Sequence, residues 1–204
     1  MSNEEHWEKV YSQKSATEVS WYRPHLERSL SLIAGCALPP SAPIVDIGGG
    51  ASTLVDDLLD AGHTSITVID LAAAALAQAK VRLGDRAAGV TWIAGNATTA
   101  LLDADSIALW HDRAVFHFLT AEADRRAYLE QVSRCVQPGG YVLIGTFAPD
   151  GPERCSGLPV ARYAPKEIVT ALGARFESIA EEREVHKTPW GSDQAFSYAL
   201  CRRT

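Results

Sequence analysis

Pro43-Ile44-Val45-Asp46-Ile47-Gly48-Gly49-Gly50-Ala51-Ser52 runs from a short apolar stretch through an acid into three consecutive glycines. Thr53-Leu54-Val55-Asp56-Asp57-Leu58-Leu59 follows, with apolar residues at 54, 55, 58 and 59, the spacing of one helix face. The unit reads as buried strand, glycine turn, helix. In an open α/β sheet such a unit holds a ligand outside the carboxyl end of its strand. Glycine lets the backbone come close to that ligand, and the first turn of the helix offers unpartnered N–H groups.

Ile66-Thr67-Val68-Ile69 reads as a second strand and ends in Asp70. An acid about 20 residues beyond a glycine turn can accept hydrogen bonds from both hydroxyls of a ribose. The site is therefore built for an adenosine-type cofactor. A dinucleotide fingerprint would place glycines at 48, 50 and 53, and position 53 is threonine. Asp46 would repel a pyrophosphate but suits a ligand carrying an ammonium group. Two rival classes stand against this reading. A nicotinamide-dependent oxidoreductase would need glycine in place of Thr53 and no acid at Asp46. A cofactor-binding module without catalysis would need no acceptor site at all.

With these residues the chain resembles the class I S-adenosylmethionine-dependent methyltransferases. Their motif, an acid and then glycines at alternate positions, is matched by Asp46, Gly48 and Gly50, with Ser52 where the third glycine stands. Three later segments are similar to the same family. Val90-Thr91-Trp92-Ile93 leads to Ala94-Gly95-Asn96-Ala97, with asparagine where the family usually has an acid facing adenine. Ile107-Ala108-Leu109-Trp110 leads into His111-Asp112-Arg113. Val136-Gln137-Pro138-Gly139-Gly140 matches the family's Pro-Gly-Gly turn before the fifth strand. The resemblance implies an α/β, Rossmann-like fold: a mostly parallel seven-stranded sheet with a C-terminal antiparallel hairpin and helices on both faces. It implies S-adenosyl-L-methionine as cofactor. The expected cofactor site is Asp46, Gly48, Gly49, Gly50, Asp70, Leu71, Asn96, Ala97 and Asp112, covered by Trp7, Tyr11 and Trp21.

The chain has 204 residues, 47% of them apolar, enough for one domain with a real core. A net charge of −6 without a long basic run speaks against nucleic acid. Nothing in the sequence reads as a signal peptide or a membrane span, so the expectation is a cytoplasmic, reduced protein. Cys36, Cys135, Cys155 and Cys201 have no paired metal-ligand spacing, and no metal is expected. Two parts are expected: an N-terminal helical lid, 1–38, and a cofactor-binding domain, 39–204. Helices are expected at 4–11, 25–36, 71–83, from an N-cap at Thr120 to about Cys135, and 165–172. Closing strands are expected near 176–185 and 194–202.

Methyl transfer is an in-line displacement at a carbon already activated by a sulfonium. The protein has to align the reactants and exclude water, and needs a base only for a protonated nucleophile. Asp112 and His111, after the fourth strand, are the candidate catalytic residues, with His111 reading as a structural or supporting residue ahead of a base. For Asp112 two readings stand: it balances the sulfonium or takes a proton, or it caps the next turn and pairs with Arg113. His117, within Val115-Phe116-His117-Phe118-Leu119, reads as a core histidine. Loops at the same sheet edge offer Tyr22, Arg113, Cys155, Arg162, His186 and Trp190 to a substrate. Trp7, Tyr11, Trp21 and Tyr22 are four large rings within a polar N-terminal stretch, and a ring over a sulfonium gains about 0.5–2 kcal/mol. Trp110-His111-Asp112-Arg113 is similar to the Trp-Asp-Arg segment of thiol and thiopurine methyltransferases, with a histidine inserted. The Asp/Asn-Pro-Pro-Tyr motif of many lysine enzymes is absent. The expected acceptor is a small molecule, with a protein lysine side chain as the alternative.

Overall fold

The computed structural model describes residues 2–13 and 15–204; Met1 and Lys14, inside the expected segment 1–38, lie outside the described residues. In chain order the elements are α1 (Asn3–Gln13), α2 (Glu27–Gly35), β1 (Ile44–Ile47), α3 (Leu54–Asp60), β2 (Ile66–Asp70), α4 (Ala73–Leu83), β3 (Val90–Ala94), β4 (Ile107–Arg113), α5 (Glu122–Cys135), β5 (Val136–Phe147), β6 (Arg154–Cys155), β7 (Leu158–Pro159), α6 (Pro165–Leu172), β8 (Phe176–Lys187) and β9 (Asp193–Arg203). Seven strands form one sheet in the order β3-β2-β1-β4-β5-β9-β8. The first five are parallel, β9 runs antiparallel to β5, and β8 antiparallel to β9. This is the Rossmann-like sheet that the sequence implies.

Helices cover both faces, as near-continuous apolar strands require. Leu109 joins a core with Leu32 and Ile33 of α2 and Leu54 and Leu58 of α3. Trp110 joins the opposite core with Tyr128 and Val132 of α5 and Ile168 of α6. Each fully buried large side chain contributes about 1.5–3 kcal/mol. Strand alternation then divides β4 chemically. His111 falls on the α2 face and Asp112 on the α5 face. Register sets Asp46 beside His111 and Ile47 beside Asp112.

Two local readings are corrected. Helix α5 starts at Glu122, with Ala121 rather than Thr120 as its N-cap. Thr120 is held in the preceding turn, its N–H bonded to Phe118 O (2.9 Å) and its own carbonyl taken by Arg125 Nη1 (2.6 Å). Pro138-Gly139-Gly140 is not a turn ahead of the fifth strand but an irregularity inside β5, where the register with β4 slips between Ile107 and Leu109. Gly139 sits at φ +76°, and a Cβ on Gly140 would meet the carbonyls of Gln137 and Ile107 at 2.9 and 3.0 Å.

The N-terminal segment packs onto the sheet domain at two places. Helix α1 lies on α4, where Glu8 accepts from the Ala74 N–H (3.1 Å) and Gln78 donates to Tyr11 O (2.7 Å). Residues 20–28 are tied to β8: His186 Nε2 bonds Ser20 O (2.7 Å), Arg23 pairs with Glu184 (2.5 Å), and Arg28 pairs with Glu182.

Candidate active site

The strand order reverses between β1 and β4, and the crevice at such a switch point is where open α/β sheets bind ligands. A cavity of about 370 Å³ lies there. Its wall contains Gly48, Asp70, Leu71, Asn96, Ala97, Arg113 and Cys155, and α1 and the following loop close it with Trp7, Tyr11 and Trp21. A second space of about 40 Å³ adjoins it, sharing Gly48, Tyr11, Trp21 and Arg113 and adding Asp46, Gly49, His111 and Tyr22.

The glycine turn is shaped by contacts that exclude side chains. Gly48 has φ +66°, and a Cβ there would collide with Val115 Cγ2. On Gly49 it would strike the Asp46 carboxylate, and on Gly50 the Asp70 carboxylate. Arg82 of α4 clamps the turn from outside, donating to Ala51 O (3.1 Å) and Ser52 O (2.6 Å) while pairing with Asp56.

Asp70 is 8% exposed and accepts the Ala72 N–H (2.8 Å). Burial pushes its carboxyl up to about 7. Asn96 lines the cavity, but its side-chain carbonyl already accepts from Thr98 N and Oγ1, each at 2.9 Å. Tyr11 is buried against Trp21 and Trp7, and desolvation raises its phenol far above the usual range. Trp7 meets Trp21 and Phe118 edge-on at 5.7 and 5.1 Å. Cys155 is a buried thiol pushed up to about 12 by desolvation, so it is not a thiolate near neutrality.

The two candidate catalytic residues take different places. Asp112 is fully buried and lines neither space. Its oxygens accept from the N–H groups of Val115 (2.9 Å) and Phe116 (3.1 Å) and from Tyr128 OH (2.5 Å), which in turn accepts from Trp110 Nε1 (2.8 Å). It caps the turn after β4, as one of the two readings had it. Its expected partner Arg113 goes elsewhere. Burial pushes the Asp112 carboxyl up to about 6 despite these donors. His111 lies between Asp46 Oδ1 (2.7 Å) and Ser29 Oγ (2.9 Å), and all three residues are buried. His117 is a core histidine whose pKa falls to about 3 through burial.

Arg113 donates to Tyr198 OH (3.0 Å) and Trp21 O (3.2 Å), with its guanidinium over the Phe196 ring at 4.5 Å. Its Nη2 is buried without a partner, and so is Asp46 Oδ2. Arg162, His186 and Trp190 line neither space. Arg162 bonds Gly151 O and Glu153, His186 bonds Ser20 O, and Trp190 is 66% exposed on the β8–β9 turn. Val115, Phe118 and Ser29 also join these walls and contacts. In the sequence Val115 and Phe118 fall within an apolar run, and Ser29 carries no motif.

The residues present fit an adenosine cofactor bearing an amino acid. A ribose acceptor, Asp70, and a glycine turn without room for side chains face one cavity. Asp46 and Arg113, which line the adjoining 40 Å³ space, each carry an unpartnered buried atom, of opposite charge. Residues 44–140 match the methyltransferase domain family. Among curated proteins, the chain is 26% identical over 139 residues to the mouse eEF1A lysine and N-terminal methyltransferase, covering 68% of this chain and 20% of that one. The match thus spans about a fifth of the length of the curated relatives, the bovine counterpart included. Among solved structures, an Anabaena variabilis S-adenosylmethionine-dependent methyltransferase superposes with TM-score 0.75 at 14% identity, covering 100% of this chain and 96% of that one. The N-methyltransferase NodS of Bradyrhizobium japonicum, in complex with S-adenosylhomocysteine, superposes with TM-score 0.72 at 17% identity, covering 96% and 97%. At these identities the superpositions speak for the fold. Residues 44–140 are thus similar to the methyltransferase domain family, and the chain has the fold of the S-adenosylmethionine-dependent methyltransferases, with its crevice at the β1/β4 switch point.

Proposed function

We propose that this protein is an S-adenosylmethionine-dependent methyltransferase that methylates a small-molecule nucleophile in the cavity between β1, β4 and the N-terminal segment. When bound, S-adenosylmethionine supplies a methyl group on a sulfonium, ready for in-line displacement. Asp70 holds the ribose hydroxyls. Leu71, Asn96 and Ala97 flank the base. Asp46 Oδ2 takes the ammonium group and Arg113 Nη2 the carboxylate, which gives each buried unpartnered atom its counterpart. Asp112 is a positioning residue that fixes the β4 turn and hence Arg113 and Val115.

The observation that carries the small-acceptor reading is the cavity's small size beneath an aromatic cover. A cavity of about 370 Å³ is near the low end of small-molecule sites, about 300–1,000 Å³. The chain's own Trp7, Tyr11 and Trp21 roof it. A cofactor with adenosine and an amino acid fills most of such a space. Among the described residues lining it there is no histidine or lysine. The protein's work is alignment and exclusion of water, and an acceptor with an available lone pair suits it. The lysine alternative draws on the curated relative named above, a lysine and N-terminal methyltransferase.

Labelled cofactor separates the two. The enzyme is incubated with thiols, amines, phenols and carboxylates in one arm and with cell protein in the other. Label in an extractable small product, and none in protein, is expected. Label in protein alone would replace this reading with the lysine one.

A further inference from the structure

We propose that Ser29 and His111 belong to the cofactor site as positioning residues: a Ser29–His111–Asp46 chain that aims one carboxylate oxygen at the cofactor's ammonium group. The inference rests on the assignment of Asp46 to that ammonium. It adds a residue of α2, before the glycine turn, and gives a role to the histidine inserted after Trp110.

The chain is continuous and buried. Ser29, His111 and Asp46 are 0, 1 and 2% exposed. Ser29 Oγ lies 2.9 Å from His111 Nε2, and His111 Nδ1 lies 2.7 Å from Asp46 Oδ1. Asp46 as a carboxylate accepts, so Nδ1 carries a proton, and Nε2 shares the second hydrogen bond with the Ser29 hydroxyl. Oδ1 is committed to His111, and Oδ2 is left buried with no partner.

Two features turn that leftover oxygen into a site. It sits beside the 40 Å³ space that Asp46, His111 and Arg113 help to line. That is room for a small group and little more. Gly49 opens this room, because a Cβ there would strike Asp46 Oδ2 and Cγ. The alternate-glycine motif does not explain a glycine at 49; clearance beside Asp46 does. A buried carboxylate with one empty oxygen is costly until a donor fills it, and a cation fills it best. Register makes the arrangement possible. Asp46 and His111 are neighbours on parallel strands and share the face that α2 covers.

The test uses cofactor fragments that differ in one group. Adenosylhomocysteine carries both ammonium and carboxylate. Its deaminated analogue, S-adenosyl-4-mercaptobutyrate, lacks only the ammonium. Affinities of both are measured by titration calorimetry on the full chain. The ratio between them is the readout, because a partly misfolded fraction cancels from it. His111→Leu and His111→Gln, which lose the donor at the Nδ1 position, are expected to lower the preference for adenosylhomocysteine about tenfold. His111→Asn, whose amide can donate from that position, should restore most of it. Ser29→Ala should lie between. If the His111 variants weaken both compounds equally, the chain is only structural and the proposal falls. Asp46→Asn distinguishes this from failure of the underlying assignment. Loss of the preference in Asp46→Asn but not in His111→Leu overturns the chain alone. An unchanged preference in Asp46→Asn overturns the ammonium assignment itself.

Discussion

Asp70 meets two opposed demands. It binds both ribose hydroxyls best as an ionised carboxylate, with two accepting oxygens, yet burial raises its carboxyl to about 7. The sign follows from linkage. A carboxyl raised from 3.8 in the unfolded chain binds its proton more tightly when folded. Its favourable contribution is complete below pH 4 and is lost as pH rises through 7. Asp70→Asn is therefore expected to raise stability at pH 8 by about 1–2 kcal/mol and to change little at pH 4. Denaturant unfolding at the two pH values checks this; a destabilised variant at pH 8 would contradict it. Binding has the opposite slope. Adenosylhomocysteine should bind wild type more tightly at pH 8 than at pH 6 and release protons on binding between them. Asp70→Ala should weaken binding by about 2–4 kcal/mol through loss of charge-assisted hydrogen bonds. Unchanged affinity in that variant would remove Asp70 from the site.

Gly48 offers a sharper residue test. Its φ of +66° disfavours any side chain, and its missing Cβ is where Val115 Cγ2 packs. Gly48→Ala is expected to reduce stability by about 1–3 kcal/mol and to displace Val115 from the cavity wall. Val115→Ala in the same chain should recover part of the loss, measured by thermal unfolding. No recovery would mean that backbone strain alone accounts for the cost.

At the scale of elements, α1 and the loop to Trp21 form the roof. Their contacts are of two kinds. Trp7 and Tyr11 pack on Ala51, Ala72 and Ala75, while residues 20–28 hold to β8 by Ser20, Arg23 and Arg28. These ion pairs are partly buried, so they and the aromatic packing together hold the roof down. Helix α1 has one buried residue, Tyr11. Such an element opens easily. Hydrogen exchange across residues 3–13 is expected to slow on adding adenosylhomocysteine. A chain starting at residue 25 keeps α2 with Ser29 and every strand, and should keep the sheet while losing nearly all turnover. Equal exchange with and without ligand, together with full binding by the shortened chain, would make the roof ordinary packing.

Across the whole molecule, legibility in the sequence followed locality. The strand-turn-helix around Gly48, the acid at Asp70 and the closing hairpin are written in short runs, and the sheet has the implied order. Gly49 was legible as part of the turn, but its reason, clearance beside Asp46, depends on side-chain packing. Asp112 and His111 are adjacent in sequence, and each reads as a catalytic candidate. Strand alternation sends them to opposite faces, one to Tyr128 and the other to Ser29. Arg162 and Trp190 lie on loops and His186 at the end of β8, and where such side chains turn is set by tertiary contacts that spacing does not encode. Arg113 was placed with the substrate, and its unpartnered Nη2 became visible only with Tyr198 and Trp21 around it.

The most direct measurement is a calorimetric titration of the full chain with adenosylhomocysteine and, separately, with NAD. The fold and the crevice between Asp70 and the Asp46–Arg113 pair predict one saturable site for adenosylhomocysteine, lost in Asp70→Ala, and no comparable binding of NAD. Tighter binding of NAD, or no binding of adenosylhomocysteine by the folded protein, would contradict the account at its centre.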